Sequence, residues 1–496
     1  MTQLREPAAV EAAGSASARR GPGPWGVTVV VLAAVLGACV LALVISAFRA
    51  PLTYDASYNM QVVEHLAHEG RYATDGAVHD GTSRLFDPYI STGPVVLVPA
   101  AVLVQVLGDH LWIYRLVPLA GFLLLLGAAC VLGRRVAGRL GAVAVPASLL
   151  VIDTSRTYPG SPLTSPGDVL GELTCAGLVV CAALALHRPR RAGLLLGLAV
   201  MTKLLAVLAA PALLVGVLAV GLSGRRRWHG AVELAIWSAA PLVVWQVVRI
   251  LSLGPAGAAR ANREFLLFFG SHGSGVVPSG VDGSAERLGR LLLLFPVVLA
   301  VPAVIGAVVL LHRRAGRSHE RVDAAVPVLL GAGACVVLWW LFMASWGLER
   351  HVLLGLYLAV PAATALVARR LRGHEPAALG KATGPVVAVG LVAAVLVSTV
   401  AQLSVPGPSL GVQRRVADAV RTSGAGHLAA VGWWQSPEVT ALSGVPGRPL
   451  DRRGGLLVIG PDVRLLSPAT WRRESGLCER DVLRAGDYRV CWTSHD

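Results

Sequence analysis

Charge is what this sequence has least of. Only 15% of its 496 residues are Asp, Glu, Lys or Arg, against 54% hydrophobic ones. Soluble domains carry about 25% charged residues, so both a soluble globular chain and an intrinsically disordered one are excluded. Lysine is nearly absent. Lys203 and Lys381 are the only two, and the net charge of +15 comes from arginine. No RNA- or DNA-binding motif accompanies that charge, so no nucleic-acid partner is expected. In an apolar chain such a balance marks arginine-rich cytoplasmic loops obeying the positive-inside rule. The 55 glycines and 30 prolines show no G-X-Y period, which excludes a collagen-like chain. The Gly-rich run Gly270-Ser-His-Gly-Ser-Gly275 lacks both a preceding strand and the Lys-Ser/Thr pair of a phosphate-binding loop. What is present is a succession of long apolar runs, with a mean hydropathy of +0.63. They specify a membrane protein of many spans.

Residues 1–24 are read as a cytoplasmic tail ending near Arg19 and Arg20. Trp25–Phe48, about 24 residues, is longer than a signal-peptide core and has no cleavage site, which predicts an uncleaved first span. Residues 49–92 carry six acids against three arginines and fall outside. Gly93–Gly108 is too short to cross, since a spanning helix needs about 20 apolar residues. If it did cross, Arg134, Arg135 and Arg139 would lie on the outer face, against the positive-inside rule. It is therefore expected to lie along the outer interface, within an outer loop over 49–110. Parity then gives spans at Leu111–Gly133, Leu140–Ile152 and Asp168–Leu186, and two short helices within 192–222 turning near Thr202-Lys203. Ala231–Leu251, Leu291–Leu311, Val326–Ala344, Val352–Ala368 and Pro385–Leu403 complete about eleven. Outer loops are expected over 153–167 and 252–288, with Phe265–Phe269 resting in the outer leaflet.

Residues 405–496 alternate short hydrophobic runs (Leu428–Trp433, Leu456–Gly460, Tyr488–Trp492) with helix-like stretches (Val412–Thr422, Pro437–Leu442), which predicts a small extracytoplasmic α/β domain. The fold class is thus mainly α: a transmembrane domain over 25–403 followed by this C-terminal domain. Five of the seven cysteines lie in spans. Cys478 and Cys491 lie in the outer domain, where an oxidising compartment lets them bridge; two unpaired thiols are the alternative.

With the inner loops short and basic, function is expected on the outer face. Asp55 lies a few residues past the first span, in Tyr54-Asp-Ala-Ser-Tyr58, and opens a helix-like stretch that Gly70 ends. A carboxylate fixed at the interface suits a general base, while helix N-capping is the structural alternative. Glu172 lies about a turn inside the span that begins near Asp168. An ionisable residue there lines a polar cavity or snorkels outward. Asp168 itself reads as a helix-start residue, and Asp153 as a third acid of the site. Lys203, near the outer turn of the 192–222 hairpin, suits an anionic head group such as a lipid phosphate. Arg350 and His351 follow Trp346 at an outer mouth and suit the same phosphate, with pairing to Glu349 as the alternative for Arg350. His65 and His68, with His79 and Asp80 further on, leave a divalent metal open without closing a ligand set.

Taken in order, these residues resemble a known class. An acid beyond the first span is followed by Glu69-Gly-Arg-Tyr72, Ile90-Ser-Thr-Gly-Pro94, an apolar helix ending at Gly108, Arg115, Gly171-Glu172 and Gly197-Leu-Ala-Val-Met-Thr-Lys203. Over residues 25–370 this is similar to the GT-C integral-membrane glycosyltransferases, in the branch of protein O-mannosyltransferases and lipid A aminoarabinose transferases. The resemblance implies inverting transfer of a sugar from a polyprenyl-phosphate donor to an acceptor hydroxyl of an envelope glycan, lipid or protein. By it Asp55 takes the acceptor proton, Glu172 or its rival Asp153 is the later acid, and Lys203 and Arg350 hold the donor phosphate. The acidic neighbour often found beside the first acid is replaced by Ala56, which argues against a two-acid metal arrangement there. Trp433 and Trp434 are candidate stacking platforms for an acceptor, or core aromatics. A lipid-linked sugar flippase and a non-catalytic scaffold with a carbohydrate-binding C-terminal domain are the rival readings; no internal repeat supports the former.

Overall fold

The computed structural model describes residues 26–74, 85–87, 90–152, 166–220, 225–271, 281–294, 323–344, 350–373, 383–404, 409–430, 436–449, 455–461, 472 and 475–493. The first span forms as helix α1 (Gly26–Ala47), apolar throughout and free of charge. The segment after it then turns into α2 (Tyr54–Glu69), closed by Gly70 in the left-handed conformation. Burial surrounds much of α2: Ala56 to Val63 are all buried. Tyr58 donates to Asp87 Oδ2 at 2.9 Å and Thr74 Oγ1 donates to the same atom at 2.9 Å. Burial, and then the neighbouring Asp87 charge, push the Tyr58 phenol well above its ordinary pKa.

Helix α3 (Pro94–Leu107) starts on a proline whose missing N–H costs nothing at a helix N-terminus. Its 14 residues extend about 21 Å, short of the ~30 Å of bilayer hydrocarbon. One face (Val96, Leu97, Ala100, Val104) packs into the core it shares with α2, while Val98, Val102 and Val106 are exposed at a spacing of four. That amphipathic division suits a helix lying along an interface.

After the single turn α4 (Leu111–Tyr114), helical residues run from Leu116 to Val151 as α5, but Gly138 has φ 66° and ψ −144°. The chain reverses there. Gly133 and Gly141 meet backbone to backbone, whereas a continuous helix would hold them about 12 Å apart. The two expected segments are therefore a helical hairpin with Arg134, Arg135 and Arg139 at its bend. The same device recurs in α9 (Arg225–Ser271), broken at Gly254 with φ 70°. Arg249 Nη1 donates to Asn262 Oδ1 at 2.7 Å, across a separation that a straight helix would stretch to about 20 Å. Of the residues expected as an outer loop over 252–288, the described ones are helical, in the second half of α9, which includes Phe265–Phe269, and in α10 (Val281–Leu294).

Between the hairpins lie α6 (Glu172–Leu184), α7 (Pro189–Thr202), a 3-10 turn over Leu204–Ala209 and α8 (Ala210–Ala219). The 192–222 segment turns at Thr202-Lys203 as expected. Asp168 is not a helix start, because α6 begins four residues later with Gly171 at its N-cap; Glu172 is the first helical residue and not a turn inside. Helices α11 (Ala325–Phe342), α12 (Arg350–Gly373) and α13 (Thr383–Leu403) follow. Among the described residues five helices are long and apolar enough to cross a membrane, and Pro94–Leu107, Glu172–Leu184, Leu204–Ala219 and Val389–Leu403 are shorter apolar ones. The expected count of about eleven includes Leu291–Leu311, most of which lies outside the described residues.

The C-terminal residues form α14 (Leu410–Thr422), α15 (Pro437–Ser443) and five strands: β1 (Leu428–Ala430), β2 (Gly447–Pro449), β3 (Leu456–Ile459), β4 (Cys478–Ala485) and β5 (Tyr488–Thr493). Their order is β2-β1-β3-β5-β4, parallel from β2 to β3 and antiparallel beyond. The hydrophobic runs became β1, β3 and β5. Strand β4, largely exposed and rich in charge, has no such signature, as befits an edge. A disulfide joins Cys478 to Cys491 across this hairpin. Cys478→Ser is expected to cost about 3 kcal/mol by restoring entropy to an unfolded loop of this length. Faster proteolysis confined to 475–493 would show it; wild-type resistance would mean that strand pairing alone holds the edge.

Candidate functional site

Three stretches of chain converge on α2. Gly93 N–H donates to the Thr202 carbonyl at 2.9 Å. A side chain at Gly93 would collide with the Met201 carbonyl, so only glycine allows the start of α3 to approach the end of α7 this closely. A Cβ on Gly171 would lie 2.9 Å from the Thr202 carbonyl and 3.5 Å from Thr92 Cγ2. Asn59 of α2 closes the knot, donating through Nδ2 to Thr92 Oγ1 at 2.9 Å and to the Val169 carbonyl at 2.7 Å.

Two acid–cation pairs are built on this frame. Helix α7 stops at Thr202, and Lys203 takes an extended conformation (φ −153°, ψ 124°) before the 3-10 turn. That break delivers its ammonium to Glu172 Oε1 in an ion pair. Glu172 sits where a carboxylate is favoured, at the positive end of the α6 dipole. The two side chains are only 12% and 6% exposed, and Glu172 Oε2 is buried with no hydrogen-bond partner among the described residues.

The second pair joins Asp55 Oδ2 to Arg350 Nη1. Arg350 is the first residue of α12, the helix end at which a cation is disfavoured, so Asp55 and not its own helix holds it. These side chains are 22% and 25% exposed, so this pair is the one a reagent reaches. The capping alternative for Asp55 is corrected: Thr53 is the N-cap, its Oγ1 accepting from Ala56 N–H, and Asp55 stands free of that duty in the first turn. Arg350 likewise pairs with Asp55; Glu349 lies outside the described residues.

His351 links the pairs. Its imidazole lies within electrostatic reach of both Arg350 and Lys203, its ring centroid is 6.2 Å from that of Trp339, and its Nδ1 is buried with no hydrogen-bond partner among the described residues. Asp55, Glu172, Lys203, Arg350 and His351, scattered over about 300 positions, thus share one site. Chemically it offers two carboxylates, each paired with a cation, and an imidazole near the cations, an arrangement able to hold an anion and to accept a proton beside it.

Asp153, Trp346, His79, Asp80, Trp433 and Trp434 fall outside the described residues. His65 pairs with Glu69 at 3.0 Å, His68 is exposed, and among the described residues no group of three His, Cys, Asp or Glu is placed to hold a metal ion. Sequence reasoning missed Asp168 as a partner: its Oδ2 accepts from Thr53 Oγ1 at 3.1 Å, which secures the cap of α2. It missed Thr53 as well, although threonine before a helical run is a recognisable cap.

No family model and no curated protein sequence matches the chain. Solved structures do. The chain is similar to ArnT from Cupriavidus metallidurans in the apo state, with a TM-score of 0.60 and 15% identity over 95% of this chain and 98% of that one. It is similar to the same protein bound to undecaprenyl phosphate, with a TM-score of 0.57 and 15% identity over 94% and 98%. The apo oligosaccharyltransferase of Archaeoglobus fulgidus aligns with a TM-score of 0.54 and 11% identity over 90% of this chain and 72% of that one. Identity this low speaks for the fold alone: this chain has the fold it shares with ArnT and with the archaeal oligosaccharyltransferase.

Proposed function

We propose that the chain is an inverting glycosyltransferase that moves a sugar from a polyprenyl-phosphate donor to an acceptor hydroxyl at the outer face of the cytoplasmic membrane. The observation that carries this reading is the presence of two acid–cation pairs, Asp55–Arg350 and Glu172–Lys203, with His351 within electrostatic reach of both cations. Without donor, each cation is held by an acid. A donor phosphate entering between them competes for Arg350 and Lys203, and Asp55, relieved of Arg350, becomes available as a base. The acceptor O–H gives its proton to Asp55 as its oxygen attacks the anomeric carbon from the face opposite the phosphate. The C–O bond to phosphate breaks with inversion, and polyprenyl phosphate leaves with the bonding pair. The negative charge that builds on the phosphate oxygen is met by cations already fixed in a site of low dielectric, which lowers the barrier without reorganisation. Glu172 holds Lys203 ready for that role. A GT-C fold, and a structural neighbour described as bound to undecaprenyl phosphate, support the donor class.

The test uses the full chain in lipid vesicles, given radiolabelled polyprenyl-phosphate mannose or arabinose and an envelope acceptor fraction. Label appearing in acceptor, with release of polyprenyl phosphate, is the expected result. Movement of intact donor between leaflets without transfer would establish the flippase reading instead.

A further inference from the structure

The base proposed above is only as good as its aim, and the structure fixes that aim from the far end of the chain. Leu52 directly precedes Thr53, the cap of α2, and lies three residues before Asp55. Both of its backbone polar groups are buried with it. Gln413 of α14 satisfies both at once: its Oε1 accepts from Leu52 N–H at 2.8 Å and its Nε2 donates to the Leu52 carbonyl at 2.9 Å. The carboxamide thereby replaces the neighbouring strand that an extended backbone would otherwise need. Its orientation is set by chemistry, since one group of Leu52 needs an acceptor and the other a donor. It is backed as well: the remaining N–H of Gln413 reaches Tyr488 Oη at 3.3 Å, and Tyr488 donates to Glu438 Oε1 at 2.8 Å. Gln413, Tyr488 and Glu438 are 1%, 2% and 5% exposed, so water cannot substitute for any of these bonds.

The rest of the approach to Asp55 is held in the same way. Arg115 Nη2 donates to the Ala50 carbonyl at 2.6 Å, and Asp168 takes the Thr53 hydroxyl. Gln413 differs from both in coming from residues 361 positions away, in the C-terminal α/β segment. Proper placement of a reacting group is sensitive: displacement by about 1 Å costs roughly 10²-fold in rate.

We infer that Gln413 is a positioning residue for transfer, and that the C-terminal segment completes the active site by clamping Leu52 so that Asp55 faces its acceptor. This rests on Asp55 being the base. The test compares wild type, Gln413→Met, Gln413→Glu (which keeps the acceptor for Leu52 N–H), Tyr488→Phe and Asp55→Asn, all as full chains in lipid. Two quantities are read: transfer kinetics with the radiolabelled polyprenyl-phosphate sugar that wild type uses, and hydrogen exchange of the amides of residues 52–57. Gln413→Met should lower kcat by about 10- to 100-fold with KM for donor within about twofold, and should deprotect 52–57. Tyr488→Phe should lose less on both measures, whereas Gln413→Glu, whose buried carboxylate faces the Leu52 carbonyl without a proton to donate, should lose at least as much as Gln413→Met. A merely structural role would lower the amount of folded enzyme without splitting kcat per folded molecule from KM. Wild-type kcat in Gln413→Met alongside an inactive Asp55→Asn would overturn the clamp and leave the transferase standing. Wild-type protection of 52–57 in Gln413→Met would overturn it even if no form transferred sugar, an outcome that would separately sink the transferase. Should Gln413→Met fail to fold, the same two readings on Tyr488→Phe decide.

Discussion

Asp55→Asn is expected to lower sugar transfer by about 10²- to 10⁴-fold, the usual worth of a general base, while leaving the fold intact. Asparagine keeps the size of the side chain and its place in the first turn of α2, and the cap is supplied by Thr53. What disappears is the charge that meets Arg350. Binding of undecaprenyl phosphate by Asp55→Asn should therefore be no weaker than wild type, and tighter if the internal pair competes with the phosphate. Arg350→Gln should show the opposite signature, with weakened lipid-phosphate binding. Measuring label transfer and phosphate-lipid affinity on the same preparations separates the two. Wild-type transfer by Asp55→Asn would reduce Asp55 to an anchor for Arg350 and end its role as base.

The second large effect is on stability. Lys203→Met strands Glu172 in a site where its side chain is only 6% exposed, and removing one partner of a buried ion pair typically costs about 3–5 kcal/mol. The double variant Lys203→Met/Glu172→Gln should recover most of that loss, because no buried charge is then left alone. Lipid-phosphate binding should follow a different rule: both variants lose it, since the cation is gone from each. Unfolding midpoints in detergent and undecaprenyl phosphate affinity test the two rules side by side. A double variant that binds the lipid as wild type does would make Lys203 a partner for Glu172 and nothing more. The contrast with Asp55–Arg350 follows from exposure, because a pair about a quarter exposed is partly screened and its loss disturbs stability less.

Much of this architecture was legible in the chain. Charge scarcity and runs of about 20 apolar residues fix where helices cross, because backbone groups in hydrocarbon must be satisfied within the segment. The short run at Gly93–Gly108 gave α3, a helix shorter than a span, by the same arithmetic. Candidate charges stood out because an ionisable residue in an apolar setting is costly and so seldom idle. The arginines at the first hairpin were legible, but its sharp bend at Gly138 was not, since a 36-residue helical stretch broken at one glycine looks like two spans and a loop.

What the sequence alone determined is the inventory: the apolar helices, the C-terminal α/β segment, and the few ionisable groups set among apolar neighbours. Only the tertiary structure decided how they are joined. Arg350 meets Asp55, Asp168 serves the cap of α2, and Gln413 reaches back 361 positions to Leu52. Local pattern reports the free energy of a segment with itself, its neighbours in sequence and its solvent. An ion pair or a carboxamide clamp between distant segments is specified by a backbone approach, such as that of Gly93 to Thr202, which no period or composition records.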